Sequence, residues 1–183
     1  MNELYEKILA DRPIFQGKVL DVHLYTVERP DGRESYREVA LHGGGAGILA
    51  LNHKGEALFV RQFRLASGEA LLEVPAGRLE AGEDPLRCAQ RELREETGYT
   101  AKKWQPLGAY YVSPGYTSEK LHLYFAEDLT PGSQELDDGE FLEIQTFPMK
   151  EALEMLHTGQ IRDAKTALCL SLCESILAQR EQA

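Results

Sequence analysis

Between positions 77 and 99 the chain reads GRLEAGEDPLRCAQRELREETGY, and its carboxylates Glu83, Glu92, Glu95 and Glu96 are the groups whose type and spacing can do chemistry. Clustered carboxylate oxygens are the ligands that hard divalent cations such as Mg²⁺ prefer. At about 100° per residue, Glu92, Glu95 and Glu96 share one stripe of a helix. Leu86, Ala89 and Leu93 form the narrow apolar stripe beside it, the face that packs. Arg87 and Arg94 fall on the far side, and Arg91 stands one turn before Glu95, placed for an i,i+4 pair. Stacked like charges destabilise a helix, and the dipole disfavours anions near the C-terminal end. A bound divalent cation removes both costs; on charge alone the segment also reads as a solvated acidic face.

The elements that must position these groups are bracketed by local signals. Asp84 is a good N-cap, Pro85 suits the first helical position and Gly98 suits the position past the end. A short strand at 71–74 ends at Pro75, and Gly77 and Gly82 are expected to bend the loop that leads to the helix. Further strands are expected at 18–28, 34–41, 47–51, 57–63, 104–112, 120–126 and 142–147, with a turn at Pro30-Asp31-Gly32 between the first two. Helices are expected at 150–157 and 163–179, the latter capped by Asp163. The first 15 residues read as a weak helix or arm ending at Pro13, and 130–139 as an acidic, glycine-containing loop. Strands interleaved with a few helices predict an α+β fold, a mixed sheet with helices packed on it.

Composition narrows the function classes. The chain has 183 residues, 43% hydrophobic and 27% charged, which suits one soluble globular domain with a short N-terminal appendage. A formal net charge of −10 argues against nucleic acid as a partner, since phosphate contacts need Lys and Arg. It allows a small anionic substrate where metal ions bridge the two. No apolar run reaches the roughly 18 residues of a membrane span, and MNELYEKILADRP lacks a signal peptide's apolar centre, so no membrane partner and a cytoplasmic address are expected. Cys88, Cys169 and Cys173 are odd in number, which argues against a disulfide framework, and the last two are expected to be core thiols.

The charged segment resembles the Nudix box, Gly-x5-Glu-x7-Arg-Glu-U-x-Glu-Glu-x-Gly-U with U a bulky apolar residue. Gly77, Glu83, Arg91, Glu92, Leu93, Glu95, Glu96 and Gly98 fit without a gap, and Tyr99 at the final U is a mild departure. The resemblance implies a Nudix fold, an α/β/α sandwich with a mixed β-sheet between helices. It also implies hydrolysis of a nucleoside diphosphate linked to a further group X, with Mg²⁺ or Mn²⁺ as cofactor. By resemblance Glu92, Glu96 and the backbone carbonyl of Ala76 hold the metal, Glu95 holds a further ion or assists through water, Arg91 orients Glu95, and Glu83 supports the cage.

The flanks resemble the ADP-ribose pyrophosphatase branch of that family. VRQFR at 60–64 precedes EVPAG at 73–77, Pro114 lies 15 residues past the box in SPGYTSEKLHLYFA, and DDGEFLEIQTF at 137–147 looks like that branch's acidic loop and final strand. The implied reaction is ADP-ribose to AMP and ribose 5-phosphate. Arg64, Arg78 and, by a looser alignment, Arg37 from a neighbouring subunit would contact substrate, and Ser113, Pro114 and Gly115 would shape the terminal-ribose pocket. Glu140 would face the metals as ligand or general base, with Asp138 and Glu143 as alternatives. Residues 1–42 would form an N-terminal arm and β-hairpin that can join a homodimer, and 43–183 the Nudix domain. GDP-mannose or UDP-glucose as substrate, and a non-catalytic nucleotide-binding domain, are the competing readings.

Overall fold

The structure, a computed structural model, describes residues 4–136, 139 and 141–181. It divides into two units, Met1–Gly44 with Tyr111–Lys120, and Gly45–Tyr110 with Leu121–Ala183.

In the first unit, β1 (Lys7–Gln16), β2 (Leu20–Glu28) and β3 (Glu34–His42) make an antiparallel three-stranded sheet in that order. The expected turn between β2 and β3 forms: Gly32 takes a φ of +78° and donates to the Arg29 carbonyl, while Asp31 accepts from Arg29 and Arg33. In place of the expected weak helix or arm the N-terminal segment forms β1, because pairing with β2 outweighs a weak local preference. Pro13 is tolerated since β1 is an edge strand of this sheet, and the ladder shifts register between Pro13 and Phe15. Ile8, Leu9, Ile14 and Phe15 of β1 are exposed. Residues 113–118 fasten onto β3 through Ala40 N–H to the Tyr116 carbonyl (2.8 Å) and Ser118 N–H to the Ala40 carbonyl (3.0 Å).

The second unit is built on a mixed seven-stranded sheet. Its strands are β4 (Gly45–Leu51), β5 (Glu56–Arg64), β6 (Glu69–Glu73), β7 (Ala76–Arg78), β8 (Thr100–Tyr111), β9 (Lys120–Thr130) and β10 (Leu142–Pro148). The order is β10-β5-β4-β9-β8, with β6 added to β5 and β7 to β4. β4 and β9 run parallel, a pairing that needs a long crossover, and α1 (Pro85–Thr97) lies on that crossover. The helices α2 (Met149–His157) and α3 (Ala164–Glu181) complete the unit.

β4 shows why this is a three-layer sandwich. Alternate residues of a strand face opposite sides. Ala46, Ile48 and Ala50 pack with Cys88, Ala89 and Leu93 of α1, and Leu49 packs with Phe59, Phe125, Met149, Ala152, Cys169 and Leu170 on the other face. A strand buried on both faces reads as a continuous apolar run, and GAGILAL is one. The three cysteines are free and buried, so Cys169 and Cys173 are core thiols as expected. Among the described residues no helix is long and apolar enough to cross a membrane.

Candidate metal centre and active site

α1 begins and ends where its sequence signals place it. The Asp84 side chain accepts from Leu86 N–H (3.1 Å) and Arg87 N–H (3.2 Å), satisfying donors that the first turn leaves unpaired. Pro85 starts the helix, and Gly98 closes it in the left-handed region (φ 75°), donating to the Arg94 carbonyl. Cys88, Ala89, Leu93, Glu96 and Thr97 are buried, which seats the glutamate stripe at the margin of the core.

One guanidinium organises most of the carboxylates. Arg91 Nε and Nη2 bind the two Glu83 oxygens, each at 3.0 Å, while Nη1 reaches Glu92 Oε1 (2.6 Å) and Glu95 Oε2 (3.0 Å). Nη2 also donates to the Arg78 carbonyl (3.1 Å), which ties the loop before the helix to its middle turn. The Arg91 hydrogen bonds hold the Glu83 carboxyl well below the usual carboxylate range, at about 2. Burial, reinforced by Glu83 and Glu92, pushes the Cys88 thiol up to about 12, so it carries no thiolate chemistry. The fourth carboxylate, Glu96, is buried and its Oε2 accepts from Ala76 N–H at 2.9 Å.

Gly77 has a function the loop-bending reading did not foresee. It lies in β7, paired with Ala46, and its φ is not positive. A Cβ there would stand 1.9 Å from Cδ and 2.0 Å from Oε1 of Glu92. The missing side chain is therefore the space in which the Glu92 carboxylate sits. Gly82 is the residue that bends the loop, with a φ of +77°.

Glu83, Glu92 and Glu95 thus share the Arg91 guanidinium, while Glu96 is held by the Ala76 backbone. Among the described residues no three His, Cys, Asp or Glu side chains converge as a ready-made metal cage, since Arg91 draws Glu83, Glu92 and Glu95 to itself. The donor chemistry still fits a hard divalent cation: anionic oxygens outnumber the cation among them, and glycine makes room for one of them.

Arg64 ends β5 and is gripped by Glu73, Nε to Oε1 at 2.7 Å and Nη2 to Oε2 at 2.8 Å. Glu73 is 1% exposed, and it also accepts from Lys165 of α3. In the sequence the only signal for Glu73 is a charge inside the apolar run at 71–76. Arg78 lies in β7, exposed. In the first unit Arg37 binds Glu6, Ser35 Oγ (3.0 Å) and the Tyr36 carbonyl (2.8 Å). Ser113, Pro114 and Gly115 form a turn in which the Ser113 carbonyl accepts from Tyr116 N–H (3.1 Å) and Thr117 N–H (3.0 Å).

Glu140 and Asp138 lie outside the described residues. Glu143 faces solvent on β10, 3.8 Å from Arg61. The strand of chain leading to that acidic segment docks on the end of α1. Gln134 Nε2 donates to the Glu96 carbonyl (2.6 Å), Glu135 N–H donates to the Glu95 carbonyl (3.0 Å), and Arg94 pairs with Glu135 (3.2 Å). The approach is so close that a Cβ on Gly132 would stand 2.8 Å from the Gly98 carbonyl oxygen.

Comparison with known proteins agrees with this architecture. The ADP-ribose pyrophosphatase of Bacillus subtilis (strain 168) is 42% identical over 185 residues, covering 98% of this chain and 100% of that one. A methanol dehydrogenase activator of Bacillus methanolicus is 35% identical, covering 93% and 94%. A GDP-mannose pyrophosphatase of Escherichia coli (strain SMS-3-5 / SECEC) is 37% identical, covering 93% of each. A crystal structure of an ADP compounds hydrolase superposes with a TM-score of 0.86 at 22% identity over 98% of each chain, which shows the shared fold. Residues 41–167 match the model of the NUDIX domain. The chain belongs to the Nudix family and is a hydrolase of that family.

Proposed function

We propose that the protein hydrolyses the pyrophosphate bond of ADP-ribose to AMP and ribose 5-phosphate with Mg²⁺ as cofactor. The observation that carries the reading is the carboxylate group on α1 and its loop, with Glu92 seated over Gly77 and Glu96 buried against Ala76. The relative from Bacillus subtilis, matched over its whole length, supports ADP-ribose as substrate.

Glu92, Glu96 and the Ala76 carbonyl would hold the cation, which supplies charge neutralisation at the pyrophosphate and a more acidic attacking water. Arg91 holds Glu95 and Glu83 in place beside them. Arg64 and Arg78 would bind the phosphates, Arg37 from a neighbouring subunit would contact substrate, and Ser113, Pro114 and Gly115 would shape the terminal-ribose pocket. An acid of the 133–143 loop, Glu140 first, would take the proton of the attacking water.

The homodimer belongs to the same reading. The support is the run of exposed apolar side chains on β1, with exposed Leu4 and Tyr5 just before it and Tyr36 on β3 of the same sheet, a surface that a second subunit would cover. Residues 1–42 would then be the dimerisation element and 43–183 the catalytic domain. Three unpaired thiols suit a cytoplasmic address.

GDP-mannose is the second reading, favoured by the Escherichia coli relative. Release of AMP from ADP-ribose against GMP from GDP-mannose, at equal substrate and saturating Mg²⁺, tests the two. The expected result is the higher kcat/KM on ADP-ribose; faster GMP release would make GDP-mannose the substrate.

A further inference from the structure

Glu73 is a fully ionisable side chain at 1% exposure, and the way it is held is informative. Taking a carboxylate out of water is costly unless cations and donors surround it. Burial pushes its carboxyl up, but the Arg64 hydrogen bonds and the Lys165 charge outweigh this and hold it below the ordinary range. Lys165 continues the network to Asp163 Oδ2 (3.0 Å), which caps α3 by accepting from Thr166 N–H (3.0 Å) and Thr166 Oγ1 (2.6 Å). Thr166 Oγ1 in turn accepts from Val74 N–H at 2.8 Å, so the backbone just before Ala76 is stitched to the first turn of α3.

Joining α3 to β6 does not require charge, since well-packed apolar side chains do the same with less desolvation. A buried carboxylate achieves something that apolar packing cannot. Both of its oxygens bind one edge of the Arg64 guanidinium, Nε and Nη2, in the fork geometry that fixes the plane of the group. The Arg64 side chain remains 42% exposed, and among the described residues its Nη1 makes no hydrogen bond. That corner is presented to solvent in one orientation.

We infer that Glu73 is a positioning residue: it orders Arg64 before substrate arrives, so that the guanidinium meets a substrate phosphate without losing further side-chain freedom. The inference rests on the reading of Arg64 as a phosphate contact. Pre-ordering of this kind raises affinity by removing a cost of binding. It makes a prediction opposite in sign to simple electrostatics. Replacing Glu73 by Gln removes a negative charge beside an anion site, which by Coulomb attraction alone would lower KM. Loss of orientation raises it.

The test is steady-state hydrolysis of ADP-ribose at saturating Mg²⁺ by the wild type, Glu73→Gln, Arg64→Ala and the double variant. Expected are a rise in KM of about 10-fold for Glu73→Gln, falling on KM rather than on kcat, and no further rise when it is added to Arg64→Ala. An unchanged or lower KM, or additive effects in the double variant, would overturn the inference. Arg64→Lys guards against a Glu73 variant that fails to fold. Lys keeps the charge without the fork, so its KM is expected to approach that of Arg64→Ala, and a wild-type KM would show that orientation is not what Glu73 supplies. Absence of wild-type turnover on any nucleoside diphosphate sugar would count against the proposed function instead, and is read separately.

Discussion

Gly77 shows how much chemistry rests on a hydrogen atom. The box position reads as a bend, yet it is extended strand, and what it provides is room for the Glu92 carboxylate. Gly77→Ala should therefore act on the site and spare the fold. The new methyl displaces a flexible side chain, so far-UV circular dichroism should be unchanged while kcat on ADP-ribose falls by about 100-fold, the order seen when reacting groups move by about 1 Å. Activity within a few-fold of wild type would show that Glu92 functions elsewhere. Arg91 was only partly legible. Helical spacing places it beside Glu95, but its bonds to Glu83 and Glu92 depend on how the loop folds back, and periodicity carries no such information. Glu73 was illegible as a site for the same reason at longer range: its partners stand nine and 92 positions away.

Among the elements, legibility tracks local information. α1 carries its own boundaries in Asp84, Pro85 and Gly98, and forms between them. β4 is a buried run and is found as one. β7 has three residues, too few for any pattern, and pairs with β4 where Gly45 lets the two backbones approach; a Cβ on Gly45 would stand 2.6 Å from the Gly77 carbonyl oxygen. β1 owes its conformation to β2. The junction of β6 with α3 has a measurable pH signature. The folded-state pKa of Glu73 is lowered, so its contribution is present above the ordinary carboxylate pKa and is lost as pH falls through the lowered value. Urea midpoints of wild type and Glu73→Gln should differ most near neutral pH, by roughly 2 kcal/mol once converted with the m value, and converge as the pH falls through the lowered Glu73 value. A gap that stays constant with pH would mean that Glu73 is not charged in the folded protein.

At the scale of the whole molecule, the fold class was legible because strands and helices alternate with the periods that a covered mixed sheet requires. The homodimer stands as a proposal, drawn from a β-rich N-terminal segment and supported by an edge strand whose Ile8, Ile14 and Phe15 side chains lie in solvent. Sedimentation velocity should give a mass of about twice 20.5 kDa, and Ile14→Glu with Phe15→Glu should shift the species to monomer. A wild-type monomer at micromolar concentration would remove the dimer from the account.

The central claim is that Glu92 and Glu96 bring a divalent cation to a pyrophosphate. Turnover of ADP-ribose by the wild type and by Glu96→Gln, each with EDTA and with saturating Mg²⁺, tests it most directly. The substitution keeps the shape of a buried side chain and removes its charge. The account predicts wild-type turnover only with Mg²⁺, and a loss of about 100-fold or more in kcat for the variant at every Mg²⁺ concentration. Turnover by Glu96→Gln within a few-fold of wild type, or wild-type turnover that survives EDTA, would contradict it.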